Sequence, residues 1–410
     1  MKLTLILGIF LLLYGNSLFA TEMKDIQMFG YARAGVGTNT LGGDQECFYN
    51  QGAGGWGGVG RNEFRLGNEC TNYLELGFKF NHLNLDKDAK KWAYTQIRIA
   101  NSHNGSDATE SSSQSTNFVE LYSEAYGLND LPVSFWVGKR FYRDQDVHID
   151  DYYYFGSTNG NGAGVGNIKI FNAELFVAVL KNVSDSTVTN KGKQGLSVLD
   201  ARLKGLPLTT NLKENFWVAF GSAPAGTDTS THTNYDKTNG VVVGTLFDYN
   251  LGSGFNHFSV SIGHGVMNTI NLYGDSSVQV GSEANLQNNK NRIRLLNHTT
   301  YKLNSHWQGH LALTYENLYN KNKSAEEWMG ISARPIYIVS DHFQILTEFG
   351  SSLVNFHNHA SLTRVALAPQ LSLNSDIWGR PALRVFYSHS FWNDANKTYI
   401  AQNASSFASK

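Results

Sequence analysis

The sequence predicts an all-β chain: a transmembrane antiparallel β-barrel of about 18 strands with one constriction loop folded into its interior. Three observations predict it. Hydrophobicity alternates with a period of two from end to end, and the connections between alternating segments are very unequal in length. One segment, GKRFYRDQDVHIDDYYYFG from Gly138 to Gly156, is too polar for a lipid face and too aromatic for an ordinary exposed loop.

At the N-terminus, MKLTLILGIFLLLYGNSLFA has a basic start at Lys2, an apolar stretch from Leu3 to Tyr14 and the small residue Ala20. This is the layout of a secretory signal peptide over residues 1–20, which leaves residues 21–410 as the barrel domain. The apolar stretch is shorter than the ~20 residues a spanning helix needs. No long apolar run follows it, which argues against an inner-membrane helical protein. Only 41% of the chain is hydrophobic, yet aromatics reach 13%. Globular proteins are ~45–50% apolar, so the apolar residues here serve something other than a thick core. A formal net charge of −1 gives no electrostatic case for nucleic acid.

Strands come next. In YLELGFKF (73–80), Leu74, Leu76, Phe78 and Phe80 share one face, while Tyr73, Glu75 and Lys79 share the other. In HWQGHLALTYE (306–316), Trp307, Leu311, Leu313 and Tyr315 alternate with Gln308, His310, Thr314 and Glu316. GYARAGVG (30–37), RIRLL (292–296) and ALRVFY (382–387) repeat the pattern. Such segments are amphipathic strands. NHLNLDKDAKK (81–91) and LNDLP (128–132) make compact connections, whereas 102–117 and 182–195 are long, polar and rich in Ser, Asn and Gly. Short turns on one side and long loops on the other are the pattern of an outer-membrane barrel, with apolar side chains facing lipid, polar ones facing a wet lumen, and no central hydrophobic core.

A wide barrel becomes selective only if something narrows it. The segment DVHIDDYYY, folded inward, supplies aromatic faces for the C–H patches of a sugar ring and charged groups for its hydroxyl rim. The two cysteines of an exported chain, Cys47 and Cys70, favour one disulfide. No metal-ligand spacing accompanies them, and no cofactor motif occurs: GAGVGN lacks the strand, helix and third glycine of a nucleotide fingerprint.

Several stretches then resemble one family, the maltoporins, the trimeric outer-membrane channels for maltose and maltodextrins. They are FGYARAGVG (29–37), GGDQECF (42–48), FRLGNECTNYLEL (64–76), GKRFYRDQDVHIDDYYYF (138–155), GAGVGNI (162–168), GFNHF (254–258), RIRLLNH (292–298), ARPIY (333–337) and DIWGRPALRVF (376–386). The resemblance implies an eighteen-stranded barrel, a homotrimer in the outer-membrane bilayer, and a third loop folded inward. It implies an aromatic path at Tyr31, Tyr73 and Trp328, with Tyr153 at the constriction, and a polar track at Arg33, Arg65, Glu75, Asp146 and Asp151. It also matches Cys47 and Cys70 to the disulfide of the first loop.

Departures are visible too. Residues 102–117 hold no aromatic where the family lends a Trp across the trimer interface. Val119 and Asp144 stand at arginine positions of the track, although Arg143 is adjacent. The path phenylalanine falls on Val243, with Phe247 on the same face by parity as its substitute. After Trp392 only KTYIAQ alternates, weakly, where the family has a Trp-rich closing strand.

The expectation is therefore a passive sugar channel for maltose, maltodextrins or similar oligosaccharides. An unselective diffusion porin is the first alternative. A barrel hydrolase is the second, and it is poorly supported: His148 lies among acids, but no GxSxG accompanies it. His357 and His359, two apart and without further ligands, make weak evidence for a metal.

Overall fold

Hydrocarbon offers no partner to a backbone N–H or C=O, so a strand within it must pair on both sides. The computed structural model describes residues 26–50, 64–84, 91–104, 115–182, 196–228, 233–272, 289–320, 323–355 and 358–403. The expected signal peptide lies outside them.

The wall opens with β1 (Ile26–Arg33), β2 (Thr71–Asn84), β3 (Trp92–Asn104), β4 (Ser115–Tyr126) and β5 (Ser134–Arg140). An inward loop follows, carrying the hairpin β6 (Gln145–Val147) and β7 (Tyr152–Phe155) and the short β8 (Ser157–Thr158). The wall resumes with β9 (Gly160–Ile170), β10 (Ala173–Asn182), β11 (Leu196–Pro207) and β12 (Leu212–Ala223). A small hairpin of β13 (Gly226–Asp228) and β14 (Thr233–Tyr235) leads to β15 (Thr238–Asn250) and β16 (Phe255–Gly265). Beyond β17 (Asn271–Leu272) come β18 (Lys290–Lys302), β19 (Trp307–Asn320), β20 (Lys323–Ile338), β21 (Phe343–Asn355) and β22 (His359–Ser372). The last segments are β23 (Ala382–Arg384), β24 (Tyr387–Trp392) and the helix α1 (Asp394–Asn403).

Eighteen of these strands form one sheet, each pairing antiparallel with its neighbour along the wall. β23 and β24 both pair with β22, at Gln370↔Arg384 and Leu367↔Tyr387, so they are two halves of one strand. The eighteen segments thus occupy seventeen positions, and the last runs in the same direction as the first. Among the described residues no ladder joins β1 to β24, and two strands with the same direction could pair there only in parallel. KTYIAQ, the weak alternator, lies in α1 rather than in a strand. β1, β23 and β24 accordingly hold no buried residue, unlike their neighbours.

Alternation sorts the faces as expected. Leu313, Ile331, Phe349, Val365 and Leu367 are exposed on the outside. Thr314, Ser332, Glu348 and Arg364 are buried inside. One expectation is corrected. The interior is not simply wet, because the inward loop packs a continuous apolar cluster against the wall, including Tyr152, Tyr154, Phe155, Trp217, Val242, Leu246, Leu296 and Trp328. The loop brings its own apolar surface, and the wall residues beneath it are apolar to match.

A second inward segment, Phe64–Cys70, is pinned from the wall. Arg364 donates to the carbonyls of Phe64, Leu66 and Gly67 at 2.6, 3.0 and 2.7 Å, and Glu348 accepts from the Leu66 N–H at 2.9 Å. Gly350 clears the space: a Cβ there would lie 2.1 Å from the Phe64 ring. Cys47 and Cys70 are joined in a disulfide with Cα atoms 5.9 Å apart, tying the base of this segment to the first loop.

The seam has a measurable consequence. In detergent micelles, amides of β1 and β24 should exchange with deuterium faster than those of β18 and β19, which are paired on both sides. Equal protection by mass spectrometry would mean that a further strand covers the seam.

Candidate functional site: the passage between two inward loops

The inward loop between β5 and β9 alternates like the strands it contains. Tyr152 and Tyr154 point to the wall and are buried, whereas Tyr153 between them is half-buried and faces the open side. Each wall-facing group has a partner. The Tyr152 hydroxyl donates to Glu316, which itself sits between Arg292 at 2.7 Å and Arg294 at 2.5 Å. Its ring meets Trp328 edge-on at 5.5 Å. The Tyr154 hydroxyl lies 3.3 Å from Nδ1 of His257, and Arg294 donates to the Tyr154 carbonyl at 3.2 Å.

The four aspartates divide the same way. Asp150 is fully buried and accepts from Ser332 at 2.7 Å. Asp144 pairs with Lys204 and, at 3.1 Å, with Arg202. Burial alone would raise the Asp144 carboxyl, but these two cations hold it below its usual range. Arg202 also donates to the Tyr142 carbonyl, at 3.0 Å, and to Asp200, which in turn accepts from the Trp217 indole at 2.9 Å. Asp144 and Asp150 therefore anchor the loop, and Asp146 and Asp151 line the passage.

Opposite the loop stand β1 and β2, whose register sets Tyr31 against Glu75 and Arg33 against Tyr73. Those four side chains share one inward patch, with the Tyr31 and Tyr73 rings 6.1 Å apart. Both phenols are held. Arg65 donates to the Tyr31 oxygen at 2.8 Å, and the Tyr73 hydroxyl donates to Glu75 at 2.5 Å. Arg65 also pairs with Glu69 and donates to the His148 carbonyl at 3.0 Å, and it lies 3.8 Å from Asp151. Arg33 pairs with Glu69 as well. Arg98 bridges Glu75 at 3.1 Å and Glu120 at 2.8 Å.

Eight expected site residues are thus brought around one passage: Tyr31, Tyr73, Tyr153, Arg33, Arg65, Glu75, Asp146 and Asp151. Two are not. Trp328 is fully buried beneath Tyr152, so it anchors the inward loop and offers no ring to the passage. Phe247 is corrected outright: it sits on the outer face of β15, paired with Phe258 of β16, their rings stacked at 6.5 Å. Val243 shares that outer face, 53% exposed, so parity was right in pairing the two and the ungapped alignment was wrong in placing them inside. The inward residues of β15 are Val242 and Leu246.

Sequence reading noted Arg143 only as the neighbour of the track position at Asp144; its guanidinium is held between the rings of Phe141 at 4.1 Å and Tyr153 at 3.9 Å. Its signal was the i±2 spacing of Phe141 and the adjacency to Asp144. Val119, at a track position, is the unpaired residue where the β3–β4 register shifts, between Arg98↔Glu120 and Ile99↔Phe118. His148 is a weak base. Burial and the guanidiniums of Arg65, Arg334, Arg380 and Arg384 hold its imidazole neutral, down to about 2. No cluster of three His, Cys, Asp or Glu able to hold a metal occurs among the described residues, and His357 lies outside them.

A wall with an apolar outside and a charged passage inside, narrowed by two anchored loops, is the architecture of a channel protein of the outer membrane. The chain belongs to the LamB porin family, whose model matches residues 26–410. Solved structures similar to it include the outer-membrane channel DcaP of Acinetobacter baumannii, at 15% identity and TM-score 0.48 over 90% of this chain and 97% of that one. An anion-selective porin from Comamonas acidovorans matches at 10% identity and TM-score 0.47, over 89% and 99%. OmpF of Salmonella typhi in complex with daunomycin matches at 9% and 0.45, over 89% and 97%.

Two outcomes test this geometry. Tyr153→Ala should raise single-channel ion conductance, because it removes the ring that Arg143 covers; unchanged conductance would place the constriction elsewhere. Burial, and then the Asp151 charge, raise the Asp146 carboxyl above its usual range. Acidification should neutralise Asp146 before ordinary carboxylates titrate, while Asp144, held low, still anchors the loop. Cation preference, read from reversal potentials, should fall on acidification at a pH above the ordinary carboxylate range, and this pH dependence should be absent in Asp146→Asn. A profile that the variant leaves intact would assign the titration to another group.

Proposed function

We propose that the channel is selective for sugars and carries maltose, maltodextrins or similar oligosaccharides across the outer membrane by passive facilitated diffusion. The observation that carries this reading is the Tyr31–Tyr73 pair. Two rings 6.1 Å apart, with both hydroxyls already engaged and a guanidinium beside each ring, Arg65 at 5.9 Å from Tyr31 and Arg33 at 5.7 Å from Tyr73, offer aromatic and charged surface side by side. A pyranose ring has apolar C–H faces that pack on such surfaces.

Around the pair, Arg33, Arg65, Glu75, Asp146 and Asp151 supply donors and acceptors for the hydroxyl rim, and Tyr153 with Arg143 narrows the opposite side. Each contact contributes on the order of 1 kcal/mol. Weak sites in series let a solute enter and leave. An aromatic path shortened by the loss of Trp328 and Phe247 suits short sugars better than long maltodextrins. The same reading expects a homotrimer in the bilayer; the part of the 102–117 connection that would approach a neighbouring subunit, 105–114, lies outside the described residues.

An unselective porin is distinguished by its current. In planar bilayers, millimolar maltotriose should block the ion current saturably, and liposome swelling over a sugar series should favour the di- and trisaccharides. Tyr31→Ala with Tyr73→Ala should weaken the block about thirtyfold, since two packed aromatic contacts contribute about 1 kcal/mol each. Unsaturable passage of every sugar would leave the general porin.

A further inference from the structure

The connections after β4, β9, β11, β15, β18 and β20 are all short and lie at one end of the wall, the periplasmic end of an outer-membrane barrel. There the interior gathers guanidiniums. Arg334 projects inward from β20, next to His310 in the register, and His310 meets the Trp378 ring at 5.2 Å. Trp378 meets His148 of the inward loop at 5.4 Å. Arg380 follows two residues later in the same turn, and Arg384 projects inward from β23 to donate to Gln370 at 2.6 Å. Arg65 approaches from the other side through its bond to the His148 carbonyl.

These cations are unequally matched. Glu348 pairs with Arg334, and Glu69 and Asp151 pair with Arg65. Asp376, in the turn itself, accepts from the Trp378 N–H at 2.7 Å. Arg380 donates only to the neighbouring Gly379 carbonyl and Arg384 only to an uncharged amide, so among the described residues neither has a carboxylate partner. Arg380 is exposed and Arg384 half-buried. Two unneutralised guanidiniums beside an exposed Trp ring present charge, planar donors and an aromatic face together.

We infer that Arg380 and Arg384, backed by Arg334, form an anion-binding subsite at the periplasmic end of the passage that favours sugars bearing a carboxylate or a phosphate. The neutrality of His148, imposed partly by Arg380 and Arg384, fits a site short of negative charge. The sugar part of the ligand rests on the function proposed above; the anion part does not.

The test compares current block by glucose, glucuronate, glucose 6-phosphate and inorganic phosphate in planar bilayers, on the wild-type channel and on the double variant R380Q/R384Q. The acidic sugars should block at concentrations about tenfold lower than glucose. That gap should close between about 0.1 M and 1 M salt, where the screening length falls from about 10 Å to about 3 Å. It should vanish in R380Q/R384Q and survive in R380K/R384K, with maltose block unchanged in both. The salt series needs no variant, so the inference remains testable if the double variant does not assemble. Equal block by glucose and the acidic sugars, or an equal loss of both in the variant, overturns the inference while leaving the sugar channel standing. Block by phosphate alone, dependent on both arginines and without block by any sugar, supports the subsite and removes the sugar reading. A glucuronate response without a glucose 6-phosphate response assigns the carboxylate as the ligand group, and the reverse assigns the phosphate.

Discussion

Every backbone polar group of the wall must find its partner in the next strand, because the surrounding hydrocarbon supplies none. The continuous ladder from β1 to β24 is the response, and most other features depend on it. A ladder fixes side-chain direction with a period of two, so one face of each strand is committed to lipid and the other to the interior. Leu313 and Phe349 are outside and Thr314 and Glu348 inside for that reason alone. The same constraint gives the seam between β1 and β24 its significance, since that is where described wall strands have an unpaired side.

An empty cylinder of this width would not discriminate among solutes. The interior is narrowed by inward segments, and several of its buried charged residues hold those segments in place. Glu316 with Arg292 and Arg294, Asp200 with Arg202, and Asp150 with Ser332 are all buried and all face the inward loop. Breaking a buried pair by removing one partner costs about 3–5 kcal/mol. Such groups fix the loop at one place along the wall. The loop then covers the inner faces of β11 to β20 and leaves the passage against β1 and β2. That asymmetry explains why Tyr31 and Tyr73 are available while Trp328, equally aromatic and equally inward, is not.

Much of the passage was legible in the chain itself. Tyr31 with Arg33, and Tyr73 with Glu75, fall on polar faces by parity, and the register then sets the two pairs side by side. The acid-and-tyrosine run announced an inward segment because no other environment suits it. Parity also assigned Phe247 and Val243 to one face, but it cannot say which face when both sides of a strand are apolar. On β15 the covered interior needs Val242 and Leu246, so the outer face and the inner face read alike. A short alternation such as KTYIAQ fails for a related reason, as six residues without a neighbouring strand to pair with form a helix as readily.

What the sequence by itself determined is the class of structure: strand period, face assignment wherever the two faces differ, the disulfide partners, and which segment is too polar and too aromatic to stay outside. Those are local properties, set by residue chemistry and a repeat of two. Only the tertiary structure decided which of Tyr152, Tyr153 and Tyr154 faces the passage, that Asp144 and Asp150 anchor while Asp146 and Asp151 line it, and that Arg143 is sandwiched between Phe141 and Tyr153. Each of these depends on where the inward loop lands on the wall, a question of packing between segments distant in the chain, such as Asp150 and Ser332, separated by 182 positions. No local pattern carries that information, because the partners meet only when the sheet has curved around them.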